Sequence, residues 1–247
     1  MFEIKIDDAR YWRDCVGAIV SLVDEGSFNI TKEGISLKAM DPSGISMVSF
    51  FIPSKAFSKY SIDKNESVGL NLENLNKVLS RTRDNESLVM KDSDNKIVLE
   101  FAGEKSKRRY KMPMIDVRKN VDKEPNVDFD ANVEMVEAPL KDILKDASLI
   151  SSYVAFSASK NQFSVSARGD SGELEENHEV DSNAIKKIEA KASANATFNL
   201  EYLENMVKAC PLGSAISLWI KNDEPIKMSY KIGDAVITYY LAPYMES

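Results

Sequence analysis

Apolar residues recur along this chain at two alternating periods, one helical and one strand-like. In residues 9–23, Trp12, Val16, Ile19 and Val23 fall on one side of a 3.6-residue helix. Short runs rich in apolar and β-branched residues flank this segment. We therefore predict a helix over 9–23, one strand before it and three strands after it: residues 2–6, 27–30, 35–40 and 45–52.

The same order of elements follows in the rest of the first half. A strand at residues 67–71 leads into a helix from Leu72 to about Arg81, whose apolar face holds Leu75 and Leu79. Three strands are predicted after it, at residues 87–91, 96–102 and 108–112. The unit β-α-β-β-β therefore occurs twice.

The second half repeats the first. Asn71-Leu72-Glu73 recurs as Asn199-Leu200-Glu201, 128 residues later. Five further pairs share this offset: Asp14 and Asp142, Phe28 and Phe156, Lys32 and Lys160, Ser36 and Ser164, and Ala39 and Ala167. A constant register of this kind indicates a duplicated domain with four β-α-β-β-β units in an α+β chain.

One hairpin, residues 34–48, departs from its repeat. Its two apolar runs are joined by Asp41-Pro42-Ser43-Gly44, a turn sequence in which glycine supplies a positive φ. The equivalent residues 162–174 carry charge where the first copy has Ile45 and Met47. The alternatives are an ordinary surface hairpin and a binding surface; the apolar residues, which the repeat does not require, favour the second.

Residues 114–130 separate the two halves without helical or alternating periodicity. They contain Pro125 and many charges, yet keep Val117, Val121 and Val127. Either these side chains fix a linker to the surface, or the segment forms one wall of a binding groove. We predict an N-terminal domain at 1–113, a connecting loop at 114–130 and a C-terminal domain at 131–247.

Composition changes this picture little. The 247 residues are 43% hydrophobic and 29% charged, as in a soluble globular protein, with no membrane-length apolar run and no secretory leader. We expect a cytoplasmic location, associated with the nucleoid, in an archaeon, or a nuclear location in a eukaryote. Cys15 and Cys210 are expected to be buried thiols, and no metal or cofactor is predicted.

Charge is unevenly distributed within a net charge of −7. A basic run at Lys105–Lys111 and an acidic run at Glu173–Glu179 each fall on a predicted strand. If both strands lie at sheet edges, they could pair head to tail between subunits and close a ring. The alternative for the basic run is a flexible charged hairpin.

Four segments together resemble the archaeal and eukaryotic sliding clamp family, proliferating cell nuclear antigen. They are Gly34–Asp41, Val68–Leu72, Lys208–Leu212 and Tyr239–Pro243, in the family's order over the whole chain. The resemblance implies the DNA-clamp fold in a homotrimeric ring around duplex DNA, with helices inside and sheets outside. Twelve helices about 9 Å apart would enclose a bore of roughly 34 Å, which admits a duplex.

The resemblance further implies a processivity factor that tethers DNA polymerase, flap endonuclease, DNA ligase and the clamp loader through short peptide motifs. DNA-facing basic residues are expected on the four helices and just after them: Arg10, Arg13, Lys77, Arg81, Arg83, Lys141, Lys145 and Lys208. Asp14, Val20 and Ser80 stand where family members often have lysine. Contacts to phosphates are independent of sequence and allow sliding.

Two protein-binding surfaces are implied as well. The subunit interface is expected to join Arg108, Arg109, Tyr110 and Lys111 to Glu173, Leu174, Glu175 and Glu176. A hydrophobic pocket for partner peptides is expected to include Met40, Gly44, Ile45, Met47, Val127, Pro225, Tyr240, Ala242 and Pro243.

An enzyme is disfavoured because no catalytic constellation stands out. His178 is the only histidine, and no glycine-rich phosphate loop is present. A subunit of a heteromeric ring, or a clamp in damage signalling, is the alternative. The even match across both halves favours the replication clamp.

Overall fold

Each helix of this chain begins where a strand ends, and an antiparallel run of strands follows it. The computed structural model describes residues 1–117, 121, 123–180 and 182–245. The helices are α1 Ala9–Val20, α2 Leu72–Leu79, α3 Glu137–Ser148 and α4 Leu200–Lys208.

The strands of the first half are β1 Phe2–Ile6, β2 Glu25–Ile30, β3 Gly34–Met40, β4 Ser46–Pro53, β5 Lys59–Ile62, β6 Glu66–Asn71, β7 Ser87–Ser93, β8 Lys96–Ala102 and β9 Lys107–Pro113. Those of the second half are β10 Ala131–Val136, β11 Tyr153–Ala158, β12 Gln162–Gly169, β13 Gly172–Glu179, β14 Ile185–Ala190, β15 Ala194–Asn199, β16 Ala215–Ile220, β17 Ile226–Ile232 and β18 Ala235–Leu241. The four predicted β-α-β-β-β units are confirmed; β5 and β14, which lie between units, were not predicted.

Two helices end earlier than their apolar period predicts. Helix α1 stops at Val20, and the amide of Leu22 then bonds to the carbonyl of Ile19 in a tighter turn. Val23 is nevertheless buried, so it continues the apolar face beyond the helix. Helix α2 likewise ends at Leu79 rather than near Arg81.

The repeated asparagines explain where α2 and α4 begin. The side chain of Asn71 accepts a hydrogen bond from the amide of Asn74 at 2.8 Å, and Asn199 accepts one from Tyr202 at 3.4 Å. Each asparagine is therefore an N-cap, which satisfies a backbone donor that the helix itself leaves unpaired. The sequence repeat is a repeat of this capping interaction.

The chain divides into two units, each with two sheets and a pair of helices. The first comprises Met1–Pro42, Val48–Asp122 and Ile232–Ile237; the second comprises Ser43–Met47, Lys123–Lys231 and Thr238–Ser247. In the first unit, α1 packs beside α2, and strands follow the orders β5-β1-β7-β8-β9 and β6-β2-β3-β4. In the second, α3 packs beside α4, and the orders are β14-β10-β16-β17-β18 and β13-β12-β11-β15.

Equivalent aromatic side chains occupy the core of each unit. Phe28 lies 5.5 Å from Trp12 between ring centroids, and its repeat equivalent Phe156 lies 5.4 Å from Phe163. All four side chains are buried. Apolar burial of this size stabilises each unit and holds its helices against its sheets.

Strands β9 and β13 lie at the ends of their sheets, as their charge pattern predicted. Within the described residues, β9 pairs only with β8 and β13 only with β12. Each therefore has one row of backbone groups without a strand partner in this chain.

Candidate functional surfaces

The basic side chains of the helices are mostly paired with carboxylates. Arg10 bonds to Asp8 at 2.8 Å and to Asp84 at 3.0 Å. Three further pairs lie along or beside one helix: Arg13 with Asp14 at 2.8 Å, Lys77 with Glu73 at 3.6 Å, and Lys145 with Asp142 at 3.1 Å. Exposed pairs of this kind are weak, so a phosphate can replace the carboxylate.

Lys141 has a different position from the other helix lysines. Its Nζ donates to the carbonyl of Cys210 at 2.9 Å and lies 3.4 Å from the carboxylate of Glu137, which is fully buried. Glu137 also accepts from the amide of Gly213 at 2.8 Å. In this conformation Lys141 connects α3 to the segment after α4 and compensates a buried charge, a role that the sequence did not suggest.

The remaining three candidates have no such partner. Arg81, Arg83 and Lys208 are exposed and form no ion pair with any other described residue. They follow α2 or end α4, where a cation interacts favourably with the helix C-terminus. They are the helix-end charges that are most available to a phosphate.

Strand β9 presents two different rows of side chains, because successive residues point to opposite faces. Lys107, Arg109 and Lys111 form the exposed row, while Arg108, Tyr110 and Met112 are half-buried. Tyr110 packs edge-on against Phe101 at 5.9 Å, and Arg109 pairs with Glu100 at 2.8 Å while its side chain stays 63% exposed.

Arg108 is largely committed within its own unit. Its guanidinium bonds to Glu86 and lies over the ring of Phe101, 5.0 Å from the centroid. Burial would raise the pKa of the Glu86 carboxyl, but hydrogen bonds from the Arg83 amide and the Arg108 guanidinium hold that pKa below its ordinary value. Of the four basic-side interface candidates, Arg108 is therefore partly a core residue.

Replacing Arg108 with alanine should destabilise the fold. Glu86 would remain buried without its cation, a change that costs about 3 kcal/mol. The depressed pKa of Glu86 contributes stability above the unfolded carboxyl value near 4.3, and that contribution is lost as the pH falls through the lower folded value. The deficit of Arg108→Ala in urea unfolding should therefore be large at pH 7 and shrink below about pH 4.

Arg109→Ala provides the matched control, since its pair with Glu100 is exposed. It should unfold within about 0.5 kcal/mol of the parent. Equal destabilisation by the two variants would contradict the internal role of Arg108.

Strand β13 has the complementary pattern. Glu173, Glu175 and Glu179 belong to its exposed row, and Leu174, Glu176 and His178 are half-buried. His178 Nε2 lies 2.9 Å from a carboxylate oxygen of Glu176, at an angle that forms no hydrogen bond. An acidic edge and a basic edge of one chain are thus both exposed along their outer rows.

In the second unit, the tip of the hairpin meets the C-terminal segment. The amide of Ala242 donates to the carbonyl of Ile45 at 2.8 Å, and the Ile45 side chain is 41% exposed. Gly44 has φ +76°, the positive angle expected at this turn. Nearby, the hydroxyl of Tyr240 donates to Glu124 at 2.8 Å, and burial raises the pKa of Tyr240.

The structure thus brings Ile45, Ala242 and Tyr240 into one neighbourhood of the second unit. Met47 is only 2% exposed, so it can underlie this surface but offers little of it, contrary to the exposed position expected for it. Val127, Pro225 and Pro243 are half-buried. Met40, 42% exposed, lines a cavity of about 510 Å³ in the first unit with Val23, Ala39 and Val117.

Several functional neighbours had no sequence signal. Lys227 Nζ lies 4.8 Å from the Trp219 ring and 5.9 Å from the Tyr240 ring, a cation–π arrangement beside the candidate pocket. Glu124 and Glu86 are single acids within polar segments, so their partners Tyr240 and Arg108 are visible only in three dimensions. The helix carboxylates could have been found from their i+3 and i+4 spacing to lysine.

Other sites are absent from the described part of the chain. No group of three or more His, Cys, Asp or Glu side chains there could hold a metal ion. Both cysteines are buried free thiols, as predicted, and burial raises the pKa of Cys210 to about 12. Among the described helices, none is long and apolar enough to cross a membrane.

Comparison with known proteins covers the whole chain. The models of the N-terminal and C-terminal domains of proliferating cell nuclear antigen match residues 1–124 and 123–244. A DNA polymerase sliding clamp of Thermococcus fumicolans is 33% identical over 247 residues, 99% of each chain. One of Thermofilum pendens is 31% identical over 248 residues, 100% of each chain.

Solved structures agree in fold. The crystal structure of PCNA from Thermococcus kodakaraensis aligns with a TM-score of 0.94 at 25% identity, covering 99% of this chain and 100% of that one. A. fulgidus PCNA, bound to the C-terminal region of FEN-1, aligns with a TM-score of 0.91 over both full chains. At 22% identity, this second likeness concerns the fold alone.

Proposed function

The chain belongs to the proliferating cell nuclear antigen family, and from that premise we propose that it is a DNA polymerase sliding clamp. Three copies form a ring around duplex DNA, with the four helices of each chain toward the DNA. The observation that carries this proposal is the full-length match to sliding clamps, together with two charged, unpaired strand edges in one chain.

We propose that β9 of one subunit pairs with β13 of the next. Such pairing would satisfy both unpaired backbone edges and place a basic row beside an acidic row. Because the two edges differ, the contact is head to tail and closes into a ring when the rotation is right. Complementary edges within one chain favour a homotrimer over a heteromeric or damage-checkpoint clamp.

The proposed role of the ring is processivity, without catalysis. Helix cations contact phosphates without reading sequence, so the protein can move along the duplex. Arg10, Arg13, Lys77, Arg81, Arg83, Lys145 and Lys208 are the proposed contacts, and Lys141 supports α3 from within. This activity places the protein with the genome: in the cytoplasm, at the nucleoid, if its source is archaeal like its relatives.

Partner enzymes are proposed to bind through short peptides at the surface formed by Ile45, Tyr240 and Ala242. DNA polymerase, flap endonuclease, DNA ligase and the clamp loader are the proposed partners, as the family resemblance implies. Domain limits of 1–113 and 131–247, with a connecting loop at 114–130, stay part of the proposal. Residues 118–120 and 122 of that loop lie outside the described residues.

Retention on DNA circles tests the proposed function. After loading, the protein should remain on closed circular DNA and leave linear DNA through its ends, because topology rather than affinity holds it. Labelled protein that co-elutes with the circle in gel filtration, and is lost after a single restriction cut, would support this. Equal loss from circles and linear molecules would contradict it.

A further inference from the structure

Two aspartates occupy equivalent places in the two halves of the chain. Asp14 is the sixth residue of α1 and Asp142 the sixth residue of α3, and the 128-residue repeat relates them. Both are exposed, with side chains 47% and 71% accessible. Each pairs with a basic residue of its own helix that is a proposed DNA contact: Arg13 at 2.8 Å and Lys145 at 3.1 Å.

Local structure gives no reason for aspartate at these positions. Aspartate is a weak helix former in a helix interior, since its short side chain competes for backbone hydrogen bonds. Neither residue is in the first turn, where an acid would favour the helix dipole. Glu73 and Glu201, the other acids that the repeat relates, do lie in the first turns of α2 and α4 and have that explanation.

The ion pairs do not explain the aspartates either. Exposed pairs contribute little to folding, because water screens them and ordering the side chains costs entropy. A negative charge on a helix that faces DNA would moreover repel phosphates. Retention of both acids through the duplication therefore indicates an effect on the ligand rather than on the fold.

From this placement we propose that Asp14 and Asp142 are internal competitors of the DNA phosphates. Each carboxylate occupies the cation that would otherwise bind a phosphate, so Arg13 and Lys145 contact DNA only transiently. Their function is to keep the affinity for duplex low, so that a closed ring moves freely along it. This inference rests on the proposed function, since it requires the helices to face DNA.

The test is the double variant Asp14→Asn, Asp142→Asn in the full chain. Its affinity for a short linear duplex in low salt should rise about tenfold, measured by fluorescence anisotropy, because two cations per subunit become available. The plot of log affinity against log salt should steepen by about 1 to 2, since each phosphate contact adds about 0.9. Diffusion of the loaded ring along stretched DNA should slow in single-molecule tracking.

Asp94→Asn, Asp223→Asn is the matched control. Both residues are exposed turn aspartates at φ 49° and 53°, positive angles that asparagine also adopts, and neither lies on a helix. This control makes the same change in net charge and should leave DNA affinity and salt slope near those of the parent. A second variant, Asp14→Glu, Asp142→Glu, keeps both charges and should diffuse like the parent.

Three results would decide the matter. Unchanged affinity and diffusion in the helix variant, with the parent still retained on circles, would overturn the competitor role alone. An equal rise in affinity in the control would overturn it too, since net charge would then be the cause. Loss of the parent itself from circular and linear DNA alike would instead contradict the proposed function.

Discussion

The variant Arg109→Glu, Lys111→Glu is expected to be a monomer, whereas the parent should have three times the 27.6 kDa mass of the chain. Both side chains belong to the exposed row of β9, beyond the Glu100 contact of Arg109. Their reversal would place acids opposite the acidic row of β13 in the neighbouring subunit. Like charges across an interface cost several kcal/mol, and each 1.4 kcal/mol weakens association tenfold.

This pair of substitutions separates assembly from folding. Arg108, the neighbouring residue, compensates buried Glu86, so its reversal would unfold the chain and dissociate the ring together. Arg109 and Lys111 carry no buried partner in the described structure, and the variant should keep the urea midpoint of an isolated parent subunit. Light scattering over a range of concentrations measures the mass of each protein.

Restoring charge complementarity is the stronger control. The variant Glu173→Lys, Glu175→Lys should also dissociate, because it makes β13 basic against a basic β9. Mixing the two dissociated variants should not restore closed homotrimers, but combining all four changes in one chain should. A trimer that survives Arg109→Glu, Lys111→Glu, or four changes that fail to restore it while the chain stays folded, would contradict β9–β13 pairing.

The duplicated fold was predictable because it depends on local signals that recur. N-cap asparagines, apolar helix faces and core aromatics such as Phe28 and Phe156 appear in constant register. Strand β5 is only four residues long, and β14 has lysines at two successive positions, so neither has a clear apolar alternation. Both form because they hydrogen-bond to a partner distant in sequence, β1 or β10.

Surface positions were predictable from pattern, but the state of each charge was not. The exposed rows of β9 and β13 follow from alternation, whereas Arg108 is drawn inward by Glu86 and Lys141 by Glu137. Those acids lie 22 residues and 4 residues away in sequence, and only the second has a spacing that suggests a pair. What the sequence lacks is burial, which decides whether a cation serves the fold or a ligand.

Peptide docking gives the second large expected effect: Ile45→Arg should lower the affinity for a partner peptide at least a hundredfold. The expected ligand carries a glutamine, an aliphatic residue and two aromatics, whose burial supplies most of the binding energy. Arginine at position 45 would place a charge where those aromatics must exclude water. The fold should tolerate the change, because the Ile45 side chain is 41% exposed and its contact to Ala242 is made by the backbone.

Phe51→Arg is the matched control for this prediction. Phe51 is a large apolar residue 40% exposed on β4, so the substitution adds the same charge at the same exposure outside the proposed pocket. Calorimetry should show parent-like peptide affinity for Phe51→Arg and none measurable for Ile45→Arg, with trimer mass unchanged in both. Intact affinity in Ile45→Arg would place the peptide elsewhere, and equal loss in both would assign the effect to charge. Loss confined to Ile45→Arg would assign peptide docking to the hairpin that the duplication altered.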